Sequence, residues 1–323
     1  MSVRKIAVLG TRYADMGIEE RILGPLGASL VLGDGGTPDD ILAVAADAEV
    51  ILAGSRPRFD ARVLDGLSCR GIVRYGIGVD SIDLDAARER GIAVARVSDY
   101  GTEAVAFHAF ATAMALLRRL PEADRSLRDG RWGVAGIRPL HLPSALTAGI
   151  VGYGRIGRQV ALYMRALGFT VCAYDEYVDV PADDGVEAVP LDALLERSDV
   201  VLLHVPGNAS GRPLVGAAEL GRMKPGSVLV NTSRGSLVDL DALLEGLAAG
   251  RPGHAALDVF PSEPVDATIF EAVADRVLLT PHMAWYTEES EADMRRKAAD
   301  EAARLLRGEP LREPVVEGGV RTP

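Results

Sequence analysis

The chain has 323 residues, which points to about two domains. With 48% hydrophobic and 25% charged residues, its composition is that of an ordinary soluble globular protein. A net charge of −11 without any basic cluster argues against nucleic acid or an anionic membrane as partner, and no apolar run reaches the roughly 18 residues of a membrane span.

The N-terminus, MSVRKIAVLG, reads directly as a strand, and its apolar part is too short for a signal peptide. Residues 1–98 alternate short apolar runs with amphipathic segments. Strands are predicted at 6–9, 28–32, 50–53, 71–74 and 93–95, with helices between them. Thr37 followed by Pro38 marks the start of one helix, to about Ala46. The alternation predicts a parallel sheet with helices on both faces, whose ligands gather beyond the carboxyl ends of the strands. Two stretches lie there. Arg56 and Arg58, after the strand ending at Ala53, are either pocket groups or a solvated loop. Tyr75, Gly76 and Ile77, after the strand ending at Arg74, form either an anion-binding turn or a plain strand-to-helix connection.

Thr102 is placed to cap a long helix from Glu103 to about Leu120, with His108 packed inside it. The stretch 130–143, with Trp132, reads as an arm or linker. Next comes GIVGYGRIGRQVALYMRALGFTVCAYDE, 149–176, around which the second half is organised. Gly152, Gly154 and Gly157 stand at G-x-G-x-x-G spacing between a predicted strand and the helix 155–167. The first allows a tight turn, the second keeps the backbone clear for a pyrophosphate, and the third lets helix and strand pack closely. The helix N-terminus turns free N–H groups toward phosphate. Asp175 ends the next strand, where a carboxylate takes both ribose hydroxyls and repels a 2′-phosphate. The cofactor expected is therefore NAD.

Further strands are predicted at 186–189, 200–204, 227–231, 255–257 and 277–279. Helices are predicted at 191–197, 217–223, 240–249 and 269–273. A last helix, from Glu288 to about Leu306, is capped by Thr287. The two cysteines, Cys69 and Cys172, make no C-x-x-C and no disulfide framework, which fits a reducing cytoplasm.

Arg234, Glu263 and His282 stand just beyond three predicted strand ends of this second half. Carbonyl reduction needs a hydride at carbon and a proton for the oxygen. A histidine supplies that proton and takes it back in reverse. A neighbouring carboxylate orients the imidazole and favours its charged form. A guanidinium fork holds a substrate carboxylate and polarises the carbonyl. By residue type alone, a surface ion pair and a satisfied loop histidine also fit. A metal site from Asp258, Glu263 and His282 lacks a helical H-x-x-x-H or a cysteine pair, so no metal is expected.

Together these segments resemble the D-isomer-specific 2-hydroxyacid dehydrogenase family over nearly the whole chain. The likeness rests on RYGIGVDSIDL (74–84), VGYGRIG (151–157), MKPGSVLVNTSRGSLVD (223–239), ALDVFPSEP (256–264) and LLTPHMAW (278–285). It implies an α/β architecture of two Rossmann-like, doubly wound parallel-sheet domains. One is a flavodoxin-like substrate domain, 1–100 plus 286–323; the other is an NAD-binding domain, 101–285. The cleft would lie between them, with hinges near 99–101 and 284–287. The implied activity is that of an NAD-dependent oxidoreductase acting on CH–OH groups, passing hydride between nicotinamide and a small 2-oxo or 2-hydroxy acid. Glyoxylate, hydroxypyruvate and pyruvate-like acids are candidates, as are phosphorylated acids of a phosphoglycerate-dehydrogenase-like enzyme.

The resemblance also implies roles for single residues. Arg234 would bind the 2-oxo acid, His282 would exchange the proton, and Glu263 would support it. Tyr75, Gly76 and Ile77 would hold the substrate carboxylate. Arg56 would suit an anionic side group and Trp285 an apolar one. The cofactor would meet Arg155 and Ile156 at the pyrophosphate, and Thr232, Ser233 and Asp258 at the nicotinamide. His204, Val205 and Pro206 would lie along the adenosine side. Two departures stand out. HVPGNASG, 204–211, puts Asn208 and Gly211 where relatives carry hydroxyls, and Phe107 replaces a frequent acid. Relatives usually form homodimers through the long helix and the arm that follows it. HMAWYTEES further resembles the branch of the C-terminal-binding-protein corepressors, which leaves an NAD(H)-sensing interaction protein as the alternative reading.

Overall fold

The computed structural model describes residues 4–318, apart from Arg12, Ala14, residues 208–210 and the side chain of Asp183. The chain divides into two compact units, Met1–Gly101 with Thr287–Pro323, and Thr102–Tyr286.

The first unit begins as β1 (Arg4–Leu9), α1 (Gly17–Leu23), β2 (Ala28–Gly33), α2 (Pro38–Ala45), β3 (Val50–Ala53), α3 (Ala61–Asp65), β4 (Gly71–Arg74), α4 (Leu84–Glu89) and β5 (Ala93–Ala95). Its central strands are apolar at nearly every position because both faces are covered. Each residue of β3 is buried. The helix starts carry their own stops and caps: the Thr37 hydroxyl accepts the N–H of Asp40, and the Asp40 carboxylate returns to the Thr37 N–H.

The second unit runs α5 (Thr102–Leu117), α6 (Leu120–Arg128), β6 (Thr147–Val151), α7 (Arg155–Ala166), β7 (Thr170–Tyr174), β8 (Glu187–Ala188), α8 (Leu191–Arg197), β9 (Val200–Leu203), α9 (Ala217–Arg222), β10 (Val228–Asn231), α10 (Leu240–Ala249), β11 (His254–Leu257) and β12 (Val277–Leu279). Its seven strands are ordered β12-β11-β10-β9-β6-β7-β8, all parallel. Alternate side chains serve the two faces. Val200 and Leu202 of β9 pack with Ala109 and Ala113 of α5, while Val201 and Leu203 pack with Leu243 and Leu247 of α10. The alanine-rich stripe of α5 lets that helix lie close to α7 and the sheet.

The chain then returns to the first unit as α11 (Glu288–Arg307) and β13 (Pro314–Val316). That sheet is ordered β13-β5-β4-β3-β1-β2, parallel except for β13, which runs antiparallel to β5. Arg295 of α11 grips the fully buried Glu19 of α1 through Nε at 3.0 Å and Nη2 at 2.8 Å. Two-pronged pairing of this kind fixes helix register as well as charge.

Four sequence expectations are corrected. The long helix does not run to Leu120: Arg119 adopts a left-handed backbone (φ 51°), and Leu120-Pro121 opens α6. Proline suits the first turn of a helix, where its missing N–H costs nothing. The strand expected at 186–189 shrinks to the exposed pair Glu187–Ala188. Residues 269–273 belong to a 3-10 helix, Ala267–Val273, tightened by the Asp266 carboxylate accepting the N–H of Thr268 at 3.0 Å. His204 lies beyond β9 rather than in it.

Candidate active site

Arg234, Glu263 and His282 leave the carboxyl ends of β10, β11 and β12, three neighbouring strands. The glycine turn follows β6, and Asp175 follows β7. The strand order reverses direction between β9 and β6, where doubly wound sheets open a crevice for ligands.

Gly152 and Gly157 meet the steric demands their spacing predicts. Gly152 has φ 97°, and a Cβ there would stand 2.6 Å from the His204 carbonyl. At Gly157 a Cβ would meet the Gly152 oxygen at 2.0 Å. Gly154 faces open space and caps α7 without a side chain. Arg155 is exposed and Ile156 half-buried at the start of that helix. Asp175 is anchored by the turn it serves: its carboxylate accepts N–H groups from Tyr153 at 2.6 Å, Tyr177 at 2.8 Å and Val178 at 3.0 Å. Tyr153, in the second place of the motif, is buried and donates its hydroxyl to Asp184 at 2.9 Å. The motif did not reveal this tie between turn and following loop.

Two buried polar groups face the same edge without a hydrogen-bond partner. They are both ring nitrogens of His204 and the hydroxyl of Thr232. Burial pushes the His204 imidazole down to about 4, so it stands neutral. Unsatisfied polar atoms beside an open glycine turn are what a dinucleotide would complete. These residues fit NAD. Val205, expected on the adenosine side, is half-buried and Pro206 is exposed, Gly211 is left-handed (φ 69°), and Asn208 lies outside the described residues.

The Nδ1 of His282 lies 2.7 Å from Oε2 of Glu263, whose Oε1 accepts the Phe260 N–H at 3.0 Å. With Nδ1 engaged, Nε2 is the nitrogen left to act; its side chain is 47% exposed. His282 itself is left-handed, with φ 52°. For a residue with a Cβ that conformation costs about 1–3 kcal/mol and persists only where its surroundings impose it.

Asp258 is the main restraint. Its side chain is only 2% exposed. Its backbone carbonyl accepts the His282 N–H at 2.9 Å. Its carboxylate accepts from Thr280 Oγ1 at 2.6 Å, Met283 N at 2.9 Å and Ala284 N at 2.9 Å. The group expected at the nicotinamide thus holds the histidine loop. His108, expected as a packed residue, approaches the same network, with Nε2 3.1 Å from the Thr280 hydroxyl. The two positions lie 172 residues apart, so no local pattern could show the contact.

Arg234 is half-buried, and its Nη1 donates to the Ser233 carbonyl at 2.8 Å. The Ser233 hydroxyl donates to Leu203, and Asn231 Nδ2 to the Arg234 carbonyl at 2.9 Å, which lock the loop to the strand ends. The next residue, Gly235, lies directly on the backbone of Phe260. The arginine loop and the glutamate loop are therefore in contact.

In the first unit, Tyr75 turns its side chain inward: it is 4% exposed and donates to Glu19 Oε1 at 3.0 Å. Only the backbone of the turn remains to meet a ligand. Gly76 has φ 130°, and its N–H donates to the Arg74 carbonyl at 2.9 Å. A Cβ at position 76 would meet the Arg74 guanidinium at 3.3 Å. Sequence reasoning did not single out Arg74. Ile77 is half-buried, and Arg56 and Arg58 are exposed. Among the described residues no three metal-ligating side chains cluster, and no helix is long and apolar enough to cross a membrane.

Comparison with known proteins shows the family. Residues 110–284 match the model of the D-isomer specific 2-hydroxyacid dehydrogenase NAD-binding domain. The chain is 35% identical to a D-3-phosphoglycerate dehydrogenase of Archaeoglobus fulgidus over 90% of its own length, but spans only about half, 55%, of that relative. It is 38% identical to a glyoxylate reductase of Korarchaeum cryptofilum over 83% of both chains. A D-lactate dehydrogenase structure from Aquifex aeolicus, complexed with NAD and lactic acid, superposes with a TM-score of 0.85 at 28% identity. That match covers 94% of this chain and 96% of the other. The intact glycine turn, the His282–Glu263 pair and these matches place the chain in the D-isomer-specific 2-hydroxyacid dehydrogenase family, with that family's NAD-binding domain.

Proposed function

We propose that the protein is an NAD(H)-dependent D-2-hydroxyacid dehydrogenase working on a small 2-oxo acid. The observation that carries this reading is the 2.7 Å pairing of His282 with Glu263 on a loop beside that of Arg234. Bound NADH supplies the hydride to the carbonyl carbon. Arg234 offers a planar fork to the substrate carboxylate and carbonyl oxygen. His282 gives the proton from Nε2 to that oxygen, and Glu263 stabilises the imidazolium before transfer. In the reverse direction the same nitrogen takes the hydroxyl proton. The turn at Tyr75, Gly76 and Ile77 is our candidate for a second carboxylate contact.

The apolar side chains exposed along α6 and the arm support a homodimer, among them Leu127, Trp132 at 91% exposure and Leu142 at 71%. The two buried cysteines, Cys69 and Cys172, which form no disulfide, support a cytoplasmic location. A substrate panel of glyoxylate, hydroxypyruvate, pyruvate, phenylpyruvate and 3-phosphohydroxypyruvate with NADH tests the function. Turnover of at least one acid, lost in Arg234→Lys, is expected. Tight NADH binding with no turnover of any acid would favour the sensor reading instead.

A further inference from the structure

We propose that Trp285 is a positioning residue for proton transfer, holding His282 in its left-handed conformation through the indole N–H. The inference rests on the dehydrogenase reading given above. Its basis is the accounting of backbone groups around φ 52° at His282. Asp258 holds the N–H groups of His282, Met283 and Ala284. The Met283 N–H and the His282 carbonyl belong to one planar peptide, so Asp258 holds that peptide by its nitrogen end. The carbonyl end of the same peptide is held by Trp285, whose Nε1 donates to it at 3.0 Å.

A left-handed residue persists only where its surroundings impose it. If the carbonyl is released, the peptide after His282 is held at its nitrogen end alone and can tilt, which lets the turn relax toward the right-handed region. That relaxation swings the imidazole away from Glu263 and from any substrate oxygen. The indole is itself held: the ring is half-buried and packs edge-on against Tyr286, with centroids 5.6 Å apart and planes at 84°. The donor is therefore presented at a fixed position.

A pocket wall and a brace differ in what they act on. A wall touches the side group of the substrate, so it changes KM for bulky acids and leaves glyoxylate, which has no side group, unaffected. A brace acts on the imidazole, so it lowers kcat for every acid alike. Trp285→Phe keeps an aromatic ring and removes the donor. A second variant replaces the Trp285 indole by benzothiophene, sulfur for N–H, in a Trp132→Phe background, since the chain has two tryptophans. This isostere keeps the fold and shape.

Both variants should lower kcat about tenfold or more, on glyoxylate and phenylpyruvate equally. KM for glyoxylate and Kd for NADH should stay within about twofold, and the solvent isotope effect on kcat should rise as proton delivery becomes limiting. Wild-type kcat on glyoxylate in the isostere, or a change confined to KM for phenylpyruvate, overturns the proposal and makes Trp285 a wall. Absence of turnover in the unmodified enzyme overturns the dehydrogenase reading itself, a separate result.

Discussion

Gly235 lies flat against the main chain of Phe260: a Cβ at position 235 would stand 1.9 Å from the Phe260 carbonyl carbon. No rotamer relieves a clash with backbone. Gly235→Ala must therefore push the Arg234 loop off the Glu263 loop, at a cost of about 1–3 kcal/mol for overpacking. Thermal melting and steady-state kinetics should show a lower Tm and a loss of kcat/KM above tenfold. A variant matching wild type in both would mean that the contact is not needed to assemble the site.

The pairing of His282 with Glu263 gives a second expectation. His282→Ala should leave the Kd for NADH within about twofold while kcat falls about a hundredfold or more, the usual size of a general-acid contribution. Fluorescence titration and single-turnover kinetics separate the two quantities. Weakened NADH binding with normal chemistry would assign the histidine to the cofactor.

Asp175 is held by three backbone N–H groups, so its carboxylate is already aimed before a ribose arrives. Asp175→Ala should weaken NADH by about 1.5–3 kcal/mol, roughly tenfold to a hundredfold, and weaken NADPH less. Competition titrations with both cofactors measure the gap. Equal losses would show that the acid acts only by bracing the turn.

His204 carries the pH dependence. Its imidazole is held near 4 by burial, against 6.5 when unfolded. Between those values the unfolded chain binds a proton that the folded chain refuses. Stability is therefore full above pH 6.5 and falls as pH drops toward 4, by about 3 kcal/mol in all. Denaturant titrations of wild type and His204→Gln across pH 7.5 to 4 should show a shallower decline in the variant. Parallel curves would mean that the ring is hydrated in solution.

Much of this was legible in the residues. Strands buried on two faces announce themselves as apolar runs, so β3, β4 and β5 lie where those runs placed them, and α8, α10 and the half-buried β12 lie where the alternation of segments placed them. The glycine turn was legible because the missing Cβ at Gly152 and at Gly157 answers a steric demand. Other features have no local signature. Arg118-Arg119-Leu120-Pro121 reads as a helix end, and nothing in it shows that Glu122 reaches His254 at 2.6 Å to seat a second helix. β13 is three residues long and begins with proline, so only its pairing with β5 makes it a strand. The left-handed backbone at His282 is set by Asp258, 24 positions earlier, and by an indole N–H. Sequence pointed to candidate residues; the restraints that aim them come from distant segments.

The last strand and helix of the first unit, β13 and α11, are made from the final stretch of a chain whose opening hundred residues supply the rest of that unit. During synthesis the inserted unit leaves the ribosome complete, while the earlier sheet still waits for its sixth strand and for Arg295 to neutralise Glu19. The usual N-to-C order of folding is thereby inverted, and a nascent chain stalled before Thr287 would carry a finished nucleotide fold behind an open, unneutralised one.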